Sequence, residues 1–183
     1  MITPAEYIQL KAFARIDGAW LALVWLVSFG CSIAGLLDPL LGMVSLALAL
    51  MSPFFVAKRL RAYRDKVRQG VLSFKRGWVF ALLVFFYGSV LLALAQYVYF
   101  AFIDKGFMVK MIIEALNSPQ TAQVMAQSGM SEVFNTSVQQ LQSMRPIDIS
   151  LQFLTTNIFL GMVLSLPIAL VMRSSVEIVN PEK

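Results

Sequence analysis

Apolar residues fall along this chain in four long runs that contain no charged side chain, at 18–37, 39–57, 77–103 and 149–172. A helix needs about 20 apolar residues to cross about 30 Å of hydrocarbon, and only helices or closed barrels satisfy their backbone there. The pattern therefore predicts an all-α protein, a four-helix transmembrane bundle forming a single membrane domain over 1–183. Between the runs lie a basic loop at 58–76 and a longer loop at 104–148. The second run continues as helix past its last uncharged residue, because Val56, Leu60, Tyr63 and Val67 recur on one helical stripe. That helix is predicted to reach about Gln69, with Gly70 as its C-terminal cap and Ser73 as the N-cap of the third span.

The 104–148 loop is too long for a bare turn, and its pattern predicts short helices on the outer surface or over the bundle mouth. Phe107, Met108, Met111, Ile112 and Ala115 form one apolar face. Ser118-Pro119 reads as an N-cap followed by proline at the first helical position. Ser131 reads as the cap of a further helix whose apolar side includes Phe134, Val138 and Leu141.

Charge sets the expected orientation. Twelve of the fifteen Lys and Arg residues fall in the N-terminal segment, the 58–76 loop and the segment after the last span. The 104–148 loop holds only Lys105, Lys110 and Arg145, balanced by Asp104, Glu114, Glu132 and Asp148. By the positive-inside rule both termini and the basic loop are expected in the cytoplasm of a bacterial inner membrane, with the Asp38 turn and the 104–148 loop outside. Trp20 and Trp78 near the inner boundary, and Tyr97 and Tyr99 near the outer one, agree with that placement.

Composition narrows the chemistry. The chain has 183 residues, is 58% hydrophobic and lacks histidine, and its mean hydropathy is +0.73, so His-ligated metals, His-centred triads and histidine switches are excluded. The one cysteine, Cys31, lies inside the first span and reads as inert packing. The residues before it, Ser28-Phe29-Gly30, match a lipoprotein processing box poorly, so the first helix is expected to be retained as the insertion signal. Met108, Met111, Met125, Met130 and Met144 are scattered without cysteine or histidine neighbours, which favours flexible packing over a copper(I) site. No cofactor or metal is expected. The outer-loop carboxylates lack metal-ligand or nucleophile spacing and read as solvated charge by default; a non-enzymatic protein is expected, and an enzyme would need at least two of Asp104, Glu114, Glu132 and Asp148 converging on one pocket.

Two sets of residues remain as candidates. In the basic loop, Arg59, Arg61, Tyr63, Arg64, Lys66 and Arg68 could act only as a topology determinant that attracts anionic headgroups, or as a site for a phosphorylated lipid or a protein partner. No nucleic-acid motif accompanies them. Within the spans, Gln96 and Asn157 are amides that should face other helices or a polar path. Gly88, Ser89, Gly161 and Ser165 suit close helix contacts. Pro53 and Pro167 suit kinks. An accessory or scaffold protein is the leading expectation. The alternative is a small transporter or lipid-translocation component, which would need a homo-oligomer built through Gly161 and Ser165.

The run Tyr63-Arg64-Asp65-Lys66-Val67, followed by Gly70, Ser73-Phe74 and Gly77, resembles the signature of an uncharacterised four-span inner-membrane family of Bacteroidota. Arg173 after the last span fits the same layout, whereas Lys75-Arg76 depart from the acidic or small residues usual before that glycine. The resemblance covers nearly the whole chain in architecture and about fifteen residues in motif. It implies a domain of unknown function and, through gene neighbourhood, a partner such as a membrane-associated glycosyltransferase handling polyprenyl-linked sugars.

Overall fold

A computed structural model describes residues 4–118 and 131–175. Among these residues the elements are helical: α1 (Pro4–Ala34), α2 (Pro39–Val67), α3 (Phe74–Val98), a π-helical segment (Tyr99–Asp104) that continues α3, α4 (Phe107–Leu116), α5 (Ser131–Ser143) and α6 (Pro146–Met172). Four helices, counting the π-helical segment with α3, are long and apolar enough to cross a membrane. The all-α expectation with four spans holds. The helix start expected at Ser118-Pro119 runs into residues outside the described ones, as do Met125 and Met130 and the side chains of Glu132 and Phe134. The helix expected after Gly129 begins at Ser131.

The spanning helices overrun their charge-free stretches. α1 has 31 residues and α2 has 29, about 45 Å each at 1.5 Å per residue. The excess of α1 lies upstream, where Leu10 and Ala14, fully buried among charged neighbours, begin a stripe that continues to Leu21 inside the span. The α1–α2 turn is closed by Asp38, whose Oδ1 accepts the Leu40 N–H at 3.0 Å, with Pro39 at the first helical position.

α2 ends close to the expected residue, but its reversal takes two left-handed residues, Gln69 (φ 51°) and Gly70 (φ 87°). The Gly70 N–H donates to the Arg64 carbonyl at 3.0 Å. A cap by Gly70 alone, the simpler expectation, leaves out Gln69, which bears the steric cost of that region. α3 begins one residue after Ser73, whose carbonyl accepts the Gly77 N–H at 3.0 Å.

The chain divides into two compact units, one from the described residues of Met1–Ala93 and Leu154–Lys183, the other from those of Leu94–Phe153. In the first, Leu10, Leu21, Val56, Leu60, Phe80, Val84 and Phe85 make the buried core. The α2 stripe read from the sequence is part of it: Val56, Leu60 and Tyr63 are buried, and Val67 packs against them. Span serines bond across helices. Trp25 Nε1 donates to Ser52 Oγ at 2.6 Å, and Ser28 Oγ donates to the Ser45 carbonyl at 2.9 Å. These pairs spare the backbone and side chains an unsatisfied polar group in hydrocarbon.

Small residues allow the closest approaches in this unit. A Cβ at Gly18 would stand 2.7 Å from Tyr87 Cβ, and one at Gly161 would stand 2.5 Å from Phe85 Cβ. Gly161 and Ser165, expected on a surface between copies of the chain, are buried inside the unit, and Ser165 Oγ bonds the Met162 carbonyl. Gly161 of α6 packs against Phe85 of α3, a close helix contact of the kind its small size suits. Pro53 and Pro167 lie within continuous helices.

The second unit gathers the end of α3, its π-helical continuation, α4, α5 and the start of α6. Phe100 and Phe153 stack at 6.3 Å between centroids. Arg145 and Asp148 close the first turn of α6 at 2.9 Å. Hydrogen bonding to that carboxylate, and then its charge, hold the Arg145 guanidinium above its ordinary pKa.

Candidate functional site

The basic hairpin is built at one end of the first unit's core, around one aromatic stack. Tyr63 is buried between Phe80, at 4.8 Å, and Phe13, at 5.6 Å. Helical spacing then sets Arg59, Arg64, Lys66 and Arg68 around the same end of α2.

Acids from α1 reach this end and bind much of its charge. Arg59 pairs with Asp17, donating from Nε to Oδ1 at 2.6 Å. Glu6 lies between two guanidiniums: its Oε1 accepts from Arg68 at 2.9 Å and its Oε2 accepts from Arg76 at 2.8 Å. Arg64 turns inward, donating from Nε to Asp65 at 2.7 Å and from Nη1 to the Met172 carbonyl at 3.2 Å. The latter bond satisfies a carbonyl at the end of α6.

A backbone bridge holds the hairpin from the other side. Leu72 N–H donates to the Ser174 carbonyl at 2.8 Å, and Ser174 N–H returns a bond to the Leu72 carbonyl at 3.0 Å. Leu72 itself is buried. What reads as a loop is a frame braced by α1 and by the residues after α6.

Of the six residues singled out in the sequence, then, Tyr63 is core, Arg59, Arg64 and Arg68 are engaged within the chain, and Arg61 and Lys66 face outward. Lys58, Lys75 and Arg173 are exposed beside them. Arg61 is only 3.9 Å from Asp65 and two-thirds exposed, so that contact is a loose surface pair. Glu6 and Asp17 are the residues the sequence reading passed over. The Nε atoms of Arg68 and Arg76 are buried and find no acceptor among the described residues, so one carboxylate balances two desolvated cations incompletely.

The intramembrane amides lie in different surroundings. Gln96 is 2% exposed, and its Oε1 has no hydrogen-bond partner among the described residues. Asn157 is half-buried. Of the carboxylates, Asp104 and Glu114 line one cavity in the second unit. Asp104 is already bonded to the Gly106 and Met108 N–H groups, at 3.1 and 3.0 Å, and to the Tyr99 hydroxyl at 3.3 Å. Its lone pairs are spent on holding the turn, which leaves it poorly placed to act as a base.

Four apolar helices and a braced cationic hairpin define a small multi-pass membrane protein. The outward faces carry the apolar surface that such a protein presents to lipid: Leu46, Leu50 and Phe54 on α2, and Phe159, Val163 and Val171 on α6, are all exposed. The chain belongs to the DUF4199 family, described as a protein of unknown function, whose model matches residues 17–174. No curated protein and no solved structure matches it.

Proposed function

We propose that this chain is a non-enzymatic accessory protein of the bacterial inner membrane, with both termini and the α2–α3 hairpin in the cytoplasm. The hairpin presents a fixed basic face to anionic headgroups and to the acidic surface of a membrane-associated partner. One observation carries the reading: Asp17, Glu6 and the Leu72–Ser174 bridge immobilise the hairpin from within. Lys58, Arg61, Lys66, Lys75 and Arg173 remain outward on that frame. Pre-ordered side chains lose less entropy on binding than those of a floppy loop, and each contributes about 1 kcal/mol near an anionic surface. The partner class that the family resemblance implies, a glycosyltransferase handling polyprenyl-linked sugars, works at such a surface.

The test is crosslinking and native pull-down of the full chain in mild detergent, comparing wild type with the K58Q/R61Q/K66Q/K75Q variant. A partner recovered with wild type and lost with the variant supports the reading; a partner set indifferent to these residues overturns it.

The competing class is a small transporter or lipid-translocation component. The Oε1 of Gln96 favours it, because a buried acceptor that finds no donor among the described residues suits a polar guest. Gln96→Leu should then abolish flux in reconstituted vesicles, and unchanged flux removes that support.

A further inference from the structure

The second unit contains a cavity of about 600 Å³, within the range of about 300–1,000 Å³ typical of small-molecule sites. Its walls are apolar, from Phe100, Val109, Ile113 and Ile149, and its lining also includes Lys105 and Lys110. Phe100 and Ile149 stand near the ends of two spanning helices, so the cavity lies where hydrocarbon gives way to water.

The backbone is specialised at this place. α3 changes from α-helix to π-helix over Tyr99–Asp104, and three residues of that segment, Phe100, Ala101 and Asp104, line the cavity. Such wide turns recur at functional sites. Directly after it Lys105 is left-handed, with φ 48°, and Gly106 follows at φ 85°. A side chain in that region is sterically disfavoured. Asp104 holds it there through the Gly106 and Met108 N–H groups.

The charge balance follows. Asp104 is occupied by those donors and by Tyr99, while the ion pairs among the described residues include neither Lys105 nor Lys110, although Glu114 stands one helical turn from Lys110. Glu114 is the remaining acid of the lining and is itself exposed. Two cations above an apolar wall at a membrane boundary complement a molecule with an anionic head and a hydrocarbon tail.

We propose that this cavity binds a phosphate-headed amphiphile drawn from the bilayer, with its tail against Phe100, Val109, Ile113 and Ile149 and its phosphate between Lys105 and Lys110. The test uses the full chain in phosphatidylcholine nanodiscs doped with phosphatidic acid carrying a diazirine in its acyl chain. A matched phosphatidylcholine diazirine probe serves for comparison. After irradiation, phosphatidic acid adducts are expected on 106–116 and 146–150, several-fold above those from the phosphatidylcholine probe. K105Q/K110Q lies at exposed positions and leaves the core intact. It should lower these adducts about twenty-five-fold, each lysine being worth roughly a factor of five toward an anionic head. Ile113→Trp, which fills the cavity, should lower them independently. Equal labelling by the two probes, or adducts confined to the exposed Phe102 and Ile103, overturns the proposal. So does displacement of the probe by glycerol 3-phosphate, because a water-soluble head would then suffice without a tail.

Discussion

Glu6 has an unusual burden for a single side chain, since it is the shared acceptor of two arginines that have largely left water. The Arg76 side chain is 12% exposed and that of Arg68 is 24%. Replacing one member of a buried ion cluster leaves the others charged and unpaired, which costs more than the intact cluster contributes. Glu6→Gln is expected to destabilise the protein by about 2–4 kcal/mol, read as a fall in thermal midpoint of the detergent-solubilised chain. Arg61→Gln, at an exposed side chain, should change stability by no more than about 0.5 kcal/mol. Asp17→Asn should also destabilise, and Arg59→Met in the same background should recover part of the loss, because the stranded cation is then removed. If the double variant is no better than Asp17→Asn alone, Asp17 is not acting through Arg59. These acids were the least legible feature of the sequence. Their partners are 42 and 62 residues away, and the basic run carries its own acid in Asp65, which hides the need for others. A signal was nonetheless present: Glu6 and Asp17 are eleven residues apart, about three helical turns, which puts them on one face with Leu10, Ala14 and Leu21.

At the scale of elements, the four spans were readable because hydrocarbon tolerates so few alternatives: a charge-free run of the right length is already close to a structure. Helix ends were less so. Upstream of residue 18, charged residues disguise an amphipathic extension of α1 whose buried stripe is only four residues per repeat. The π-helical segment left no trace either, since the extra residue per turn changes neither composition nor hydropathy. Close packing was half legible, because the sequence marks a small residue but not the side chain opposite it. Two glycines make the distinction testable. At Gly30 nothing lies within 4 Å of an added Cβ, whereas at Gly161 the Phe85 Cβ would be 2.5 Å away. Gly30→Ala is expected to stabilise by about 0.5–1 kcal/mol through helix propensity alone. Gly161→Ala should instead force α6 from α3 at a cost of about 1–3 kcal/mol, overcoming the same propensity gain. Thermal unfolding of the two variants side by side measures both, and equal shifts would show that Gly161 has room the packing denies it.

For the whole molecule, orientation rests on a property that no internal contact encodes, the uneven distribution of Lys and Arg between the two sides. The braces reduce how many of these cations are free after folding, yet the positive-inside rule is a count of Lys and Arg near the span ends and does not depend on their pairing. The proposed function depends on this orientation, since the basic frame must face the cytoplasm. Labelling can decide it in intact cells. In a Cys31→Ser background, which removes the single native thiol, Gln139→Cys on α5 and Lys66→Cys on α2 place single thiols at exposed positions. A membrane-impermeant maleimide is expected to modify position 139 in intact cells once the outer barrier is open, and position 66 only after the inner membrane is permeabilised. The opposite order would place the basic frame outside, where cytoplasmic partners cannot reach it. The α1 and α6 ends that brace the frame would then have to cross with it, so a thiol at Ile8 should follow position 66 in either case. If Ile8 and position 66 label from opposite sides, α1 does not pass beside α2 in the membrane, and the Glu6 brace could not form in the cell.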